Sequence, residues 1–184
     1  MSFTQIDAKT ALLVIDLQYG IVALNTCHPA TDIINNCGEL INKFRLLSLP
    51  ICFVNVDGAA SGRTEQIKGK TTKPANWSQL ISELNPRAGE LLITKQTWGA
   101  FTNTDLHTLL QAREITQLVI CGIATSMGVE STARQAFELG YNISLPIDAM
   151  TDINAAVHEN SVGAIFPKLS ETGTTADLLK LLTT

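Results

Sequence analysis

Three segments of this 184-residue chain carry residue types suited to acid–base chemistry, and each lies at or after the end of a short apolar run. Asp16 ends the run ALLVID, Lys95 ends LLITK, and residues 122–128 follow QLVIC and lead into a helical pattern. A carboxyl group beside an ammonium can hold and transfer a proton, and a helix N-terminus can hold an anion. Ligands bind at the carboxyl ends of parallel strands. The sequence therefore predicts one crevice that contains Asp16, Lys95 and the segment up to Gly128.

The elements that must position these residues alternate between two hydrophobic patterns. Short, almost continuously apolar runs predict strands buried on both faces of a sheet; they span residues 11–16, 51–56, 91–95, 117–122 and 142–147. Longer segments with i, i+3, i+4 spacing predict helices; they span residues 31–47, 103 or 104–113, 125–140, 154–165 and 176–182. Thr31 and Asp32 are expected to cap the first helix. This alternation favours an α/β fold, a three-layer α/β/α sandwich with a mostly parallel sheet.

The length favours a single domain over residues 1–184, interrupted by a long excursion at residues 57–86. Residues 63–73 of this excursion contain four cations against one anion, Glu65; they are Arg63, Lys68, Lys70 and Lys73. Such a stretch is typical of a flap that attracts anionic substrates, or of a solvated loop.

Composition excludes several classes of function. The formal net charge is −4, so a nucleic-acid backbone is not the expected partner. The longest apolar runs are too short for a membrane span, and the first residues do not resemble a secretory signal, so we expect a cytoplasmic protein. The four cysteines are scattered, and Cys52 and Cys121 are expected to be buried in strands. The three histidines are far apart, and His158 is interpreted as a packing or surface residue.

Three sequence motifs resemble the isochorismatase-like hydrolase superfamily, also called the cysteine hydrolases. They are ALLVIDLQ, ITKQTWGAF and CGIATSMGVESTARQAFELGY, in the family's order. The resemblance covers the chain from residue 11 to about residue 165 and implies a Rossmann-like α/β/α fold. In that family an Asp, a Lys and a Cys form the catalytic set. Asp16 and Lys95 match the first two, and Gly128 stands at the position of the Cys.

Gly128 removes the nucleophile on which the amidases of this family depend. A thiolate at a helix N-terminus is a good nucleophile, and glycine offers no atom in its place. True isochorismatases are similar to this sequence in having Gly there, and they hydrolyse a vinyl ether without a covalent intermediate. The resemblance thus implies that Asp16 protonates an enol ether of a small, anionic metabolite such as isochorismate. Lys95 would hold Asp16 or the substrate's charge, and water would then add.

The resemblance also implies how the site is completed. A cis peptide between Ile123 and Ala124 is expected, with backbone N–H groups at Ala124 and Gly128 forming an anion or oxyanion hole. Family members that bind a catalytic metal use histidines in the 57–86 region, where this sequence has none, so no metal and no cofactor are expected. A homodimer or homotetramer with active sites near the interface is expected.

Four further side chains are candidates for substrate binding. Gln18 and Tyr19 follow the first strand and could line the crevice or belong to the loop surface. Trp98 and Phe101 follow the third strand and could stack on substrate, but aromatic residues in such positions also serve cores and subunit interfaces.

Two other functions remain open at this point. One is hydrolysis of a C–N bond by water that Asp16 activates. The other is a family member without catalysis that works as a binding or structural protein. Retention of both Asp16 and Lys95 favours retained chemistry.

Overall fold

The structure, a computed structural model, describes residues 3–65 and 73–183. The described residues form a sheet of seven strands in the order β3-β2-β1-β4-β5-β7, and the short β6 pairs with β4. Every strand pairing in this sheet is parallel. The strands are β1 Thr10–Ile15, β2 Ile51–Val56, β3 Leu91–Lys95, β4 Gln117–Ile123, β5 Asn142–Pro146, β6 Met150–Thr151 and β7 Glu171–Gly173. The predicted α/β/α architecture with a parallel sheet is confirmed.

The five predicted strands correspond to β1 to β5, with ends that shift by at most one residue. β6 and β7 are not predicted from the sequence, because two or three residues are too few to produce a hydrophobic pattern. β5 ends at Pro146, one residue early, because Ile147 begins a 3₁₀ turn.

Successive side chains of the central strands enter two separate cores. Leu12 and Val14 of β1 pack in one core, whereas Leu13 and Ile15 pack in the other. This alternation follows from the two-residue period of a strand, and both faces are apolar because helices cover both. All six residues of β1 are buried.

Six α-helices of the described chain flank the sheet: α1 Tyr19–Val22, α2 Ala30–Leu46, α3 Leu106–Gln111, α4 Glu130–Glu138, α5 Ala155–Asn160 and α6 Thr175–Leu181. α2 and α6 contribute to one core, and α3 and α4 to the other. π-helical turns, Thr125–Val129 and Ser161–Ile165, precede α4 and follow α5.

The predicted helix ends were less accurate than the strands. The predicted Thr31–Asp32 cap is wrong, because α2 already begins at Ala30, after Pro29, and no side chain caps it. α3 starts later than predicted because Asn103 adopts a left-handed backbone (φ 54°), which a helix does not continue through.

The excursion at residues 57–86 returns to the sheet edge through a few specific contacts. Gln18 and Leu80 form an isolated antiparallel bridge, and residues Ser82–Leu84 form a 3₁₀ turn. Lys73 lies over the ring of Trp77, with Nζ 3.5 Å from the ring centroid. Lys68 and Lys70, half of the predicted cationic stretch, lie outside the described residues.

Gly122 is required where β4 passes β1. Its φ is 121°, and an added Cβ would lie 2.0 Å from the carbonyl oxygen of Ile15. Gly122→Ala is therefore expected to lower the free energy of unfolding by about 3 kcal/mol or more, because both backbones must move. Urea unfolding measures this. Gly38→Ala, in an open position on α2, is the control and should raise stability by about 0.5–1 kcal/mol; similar behaviour of both variants would contradict this account.

Candidate active site

The centre of the site is an ion pair between two strand ends that are not neighbours in the sheet. Asp16 follows β1 and Lys95 ends β3, with β2 between them. Lys95 Nζ lies 2.7 Å from Asp16 Oδ2, and the two residues are 1% and 5% exposed. Lys95 Nζ also donates to the carbonyl oxygen of Thr97 at 3.3 Å. Asp16 and Lys95 thus meet at the carboxyl ends of their strands, as their positions in the sequence predict.

A local backbone turn aims the Asp16 side chain. Asp16 has a φ of 52°, in the left-handed region that residues other than glycine rarely adopt. Its N–H donates to the carbonyl oxygen of Val54 on β2, while its own carbonyl accepts from the N–H of Gln18. Non-glycine residues in this conformation cost about 1–3 kcal/mol and cluster at functional sites.

The two oxygens of Asp16 have different surroundings. Oδ2 accepts the hydrogen bond from Lys95, whereas Oδ1 is buried with no hydrogen-bond partner among the described residues. Burial raises the pKa of Asp16 to about 6, and the nearby Lys95 charge opposes this rise without cancelling it. Desolvation therefore outweighs the ion pair, and the carboxyl group exchanges its proton near neutral pH.

Gly128 lies directly against this carboxyl group. It belongs to the π-helical turn Thr125–Val129, and an added Cβ would be 3.0 Å from Asp16 Oδ2 and 2.9 Å from Ile15 Cγ2. Any side chain at this position would press on the carboxylate. The expected cis peptide between Ile123 and Ala124 is present immediately before the turn.

A cavity of about 140 Å³ opens beside the pair, and its lining is mainly apolar. It contains six of the residues that the sequence analysis named: Asp16, Lys95, Trp98, Ile123, Ala124 and Gly128. The other lining residues are Ile21, Leu24, Val56, Gly58 and Met127. These five went unnoticed because an apolar residue or a glycine carries no chemical signature in a sequence.

Three candidates for substrate binding lie elsewhere. Gln18 is fully buried, and its amide bonds the backbone of Val56 and Trp77, so it fixes the 57–86 excursion to the strand ends. Tyr19 is partly exposed and does not belong to the cavity lining. Phe101 stacks on Tyr141, with ring centroids 6.0 Å apart, so it serves packing.

A second polar cluster supports the turn that carries Gly128. The buried Asp152 accepts a hydrogen bond from the Ser126 N–H at 2.7 Å, and His158 Nδ1 lies 2.9 Å from Thr125 Oγ1. Burial lowers the pKa of His158. His158 is thus a buried packing residue with a polar contact. Asp152 accepts from one N–H near the predicted anion hole, and no sequence pattern marks it as part of the site.

The described residues contain no group of three or more His, Cys, Asp or Glu side chains arranged to hold a metal ion. No helix within residues 3–65 and 73–183 is long and apolar enough to cross a membrane. Cys52 and Cys121 are buried in strands as predicted, and burial raises the pKa of Cys52 to about 12.

Replacement of Lys95 by an uncharged residue should show how much free energy the burial of the Asp16 carboxylate costs. Lys95→Met leaves Asp16 without a counter-charge and should raise its pKa above 6. The variant should then lose about 3 kcal/mol of stability near pH 8, where Asp16 must ionise, and less near pH 5, where it stays protonated. Urea unfolding at both pH values measures this. Lys9→Met, at an exposed pair with Glu114, should change stability by less than about 1 kcal/mol; an equal loss for Lys95→Met at both pH values would contradict the assignment.

The chain resembles known proteins over nearly its whole length. The model of the Isochorismatase domain matches residues 10–177. An uncharacterized isochorismatase family protein of Bacillus subtilis, YwoC, is 39% identical over 179 residues, which cover 94% of this chain and 93% of that protein. The structure of an isochorismatase family protein from Burkholderia thailandensis is 36% identical and superposes with a TM-score of 0.93, covering 98% of each chain.

A relative with a named activity matches a smaller part. The ureidoacrylate amidohydrolase RutB of Variovorax paradoxus is 37% identical over 99 residues, which cover 53% of this chain and 39% of that protein. The match of the domain model and of full-length relatives, together with the parallel sheet described above, establishes that this chain belongs to the isochorismatase family of hydrolases.

Proposed function

We propose that the protein hydrolyses a small, carboxylate-bearing enol ether, such as isochorismate, without a covalent intermediate. Asp16 is the general acid and Lys95 is its partner. The observation that carries the proposal is the unpartnered Oδ1 of Asp16, on a carboxyl group whose pKa is about 6. A general acid works best when its pKa lies close to the working pH, and this oxygen is free to carry the proton.

The proposed reaction begins with proton transfer from Asp16 Oδ1 to the terminal carbon of the enol ether. The double bond supplies the electron pair for the new C–H bond, and an oxocarbenium ion forms at the ether carbon. Water adds there and gives a hemiketal, and its released proton returns to the Asp16 carboxylate. The hemiketal then breaks its C–O bond to yield a ketone and an alcohol. Lys95 stabilises the carboxylate while it is ionised.

The absence of a side chain at Gly128 supports a route without acyl transfer. The buried thiols offer no substitute, because Cys121 is fully buried within β4 and directs its Sγ at the carbonyl oxygen of Leu13. Cys27 lies beside His28, with 3.4 Å between Sγ and Nδ1, but it does not belong to the cavity lining. A nucleophile is therefore not found next to Asp16 in the described cavity.

Hydrolysis of a C–N bond is the second candidate, and the partial match to a ureidoacrylate amidohydrolase favours it. In that reaction the ionised Asp16 would take a proton from water, which attacks the carbonyl carbon directly. The tetrahedral intermediate would then break its C–N bond, and Asp16 would return the proton to the departing nitrogen. The same residues would serve, but Asp16 would be a base at the start of the reaction instead of an acid.

The pH dependence separates the two candidates. With Asp16 as the acid, kcat/KM should fall about tenfold per pH unit above pH 6, because the proton is lost; with Asp16 as the base, it should fall below pH 6. The measurement is a pH–rate profile on isochorismate, other pyruvyl enol ethers, nicotinamide and carbamoyl amines. Asp16→Asn should reduce turnover at least about 100-fold, and Glu39→Gln, an exposed carboxyl of α2, should leave it unchanged.

Circular dichroism must show that Asp16→Asn is folded. Turnover that survives in this folded variant would refute both routes. Turnover of none of these substrates by the unmodified protein would favour a binding protein without catalysis.

We further propose that the protein is a homodimer or homotetramer. Several large apolar side chains are exposed near the cavity, just before α5 or on it, as subunit contacts require; they are Leu24, Trp98, Ile153 and Val157. Size-exclusion chromatography with light scattering should give two or four times the mass of one chain. Trp98→Glu should shift the species towards monomer, whereas Leu46→Glu, on the exposed face of α2, should not. A monomeric unmodified protein would contradict this proposal.

A further inference from the structure

The cavity is lined by one negatively charged and one positively charged side chain, which pair with each other. Among the described lining residues only Asp16 and Lys95 carry charge, and the other nine are apolar or glycine. Both charged groups are more than nine-tenths buried. A net charge in such surroundings is costly, because few solvent or protein dipoles compensate it. The pair is neutral when Asp16 is ionised and has a charge of +1 when Asp16 is protonated.

Among the residues that the structure describes, Lys95 is the one other titratable group that lines the cavity with Asp16. Lys95 approaches from β3, Gly128 from the π-helical turn, Ile123 from β4 and Val56 from β2. The next buried carboxylate, Asp152, is held by the N–H groups of Ser126 and Ile153. The proton on Asp16 therefore responds mainly to Lys95 and to whatever enters the cavity.

An incoming anion changes this balance. A carboxylate beside Lys95 while Asp16 is ionised would give the cavity a net charge of −1 and place two anions against one ammonium. The same carboxylate beside protonated Asp16 gives a net charge of zero. Protonation of Asp16 and binding of a monoanion must then favour each other, since the coupling between two binding events is reciprocal.

The unpartnered oxygen provides the place for this proton. Oδ2 is engaged with Lys95, but Oδ1 is buried and lacks a partner among the described residues, so a proton there displaces no existing hydrogen bond. Lys95 Nζ also donates to the carbonyl oxygen of Thr97, so Asp16 is not its sole hydrogen-bond acceptor.

We propose that the cavity binds one carboxylate group of a compact ligand together with one proton, which is held on Asp16 Oδ1. The ligand carboxylate pairs with Lys95, and its apolar body contacts Trp98, Ile123 and Met127. A substrate of this class therefore brings the general acid into its protonated form by its own charge. The catalytic use of that proton rests on the proposed function, but the coupled binding does not.

The coupling between anion binding and protonation of Asp16 predicts in which direction the affinity changes with pH. Free Asp16 is mostly ionised above its pKa of about 6, so each anion that binds there takes up a proton from solution. The dissociation constant for a monocarboxylate should rise about tenfold per pH unit above that value. A neutral ligand of the same shape requires no proton and should bind with a constant that does not depend on pH.

Benzoate and benzamide are matched probes, because they differ in charge and hardly in shape. Isothermal titration calorimetry at about pH 7.5 measures the binding enthalpy in phosphate and in Tris buffer. Because the two buffers differ in their enthalpy of ionisation, the difference between the two binding enthalpies gives the number of protons taken up. We expect close to one proton per benzoate and none per benzamide, and weaker benzoate binding at about pH 8.5 than at pH 6.5. In Asp16→Asn, benzoate should bind without proton uptake, and Glu39→Gln should match the unmodified protein.

Benzoate binding without proton uptake, or with equal strength at both pH values, would overturn the proposal, as would failure of benzoate to bind at pH 6.5. Uptake that persists in Asp16→Asn would also overturn it, because the proton would then lie elsewhere. If Asp16→Asn does not fold, the comparison of the two buffers with the unmodified protein still tests the proposal. Benzoate is not hydrolysed, so absence of enol-ether turnover would refute the proposed function and leave the proton count unaffected.

Discussion

A buried ion pair between Asp16 and Lys95 is the constraint on which the rest of the site depends. Taking two charges out of water costs several kcal/mol per ion, and the attraction between them repays this only in good geometry. The geometry here comes from the parallel sheet, which brings the carboxyl ends of β1 and β3 to one edge and leaves β2 between them. The pair is therefore a product of strand order and cannot be assembled by any local segment.

The raised pKa of Asp16 shows which effect prevails in this pair. Burial favours the neutral carboxyl more strongly than the ammonium favours the ionised one. A structural ion pair on a surface would have the opposite balance. Gly128 contributes to this result, because its missing Cβ lets the turn approach Asp16 Oδ2 closely. Gly128 thus helps to enclose the buried carboxyl group of Asp16.

The backbone around the site is held by buried polar groups that do not enter the cavity. Gln18 ties the 57–86 excursion to β2, and Asp152 and His158 hold the turn before α4. These residues take part in local hydrogen bonds that no apolar side chain can replace. These side chains hold the backbone of the cavity wall in place relative to the Asp16 carboxyl group, and they do not line the cavity themselves.

The sequence by itself determined the five long strands, the α/β/α class and the meeting of Asp16 with Lys95, because apolar runs and strand ends follow from local pattern and sheet geometry. It did not determine the side-chain directions after the strands, and the candidates Gln18, Tyr19 and Phe101, whose other possible roles were loop surface, core or interface, do not line the cavity. It also could not find apolar wall residues such as Met127. Those features, and the pKa of Asp16, depend on which groups the folded chain removes from water, and only the tertiary structure decides that.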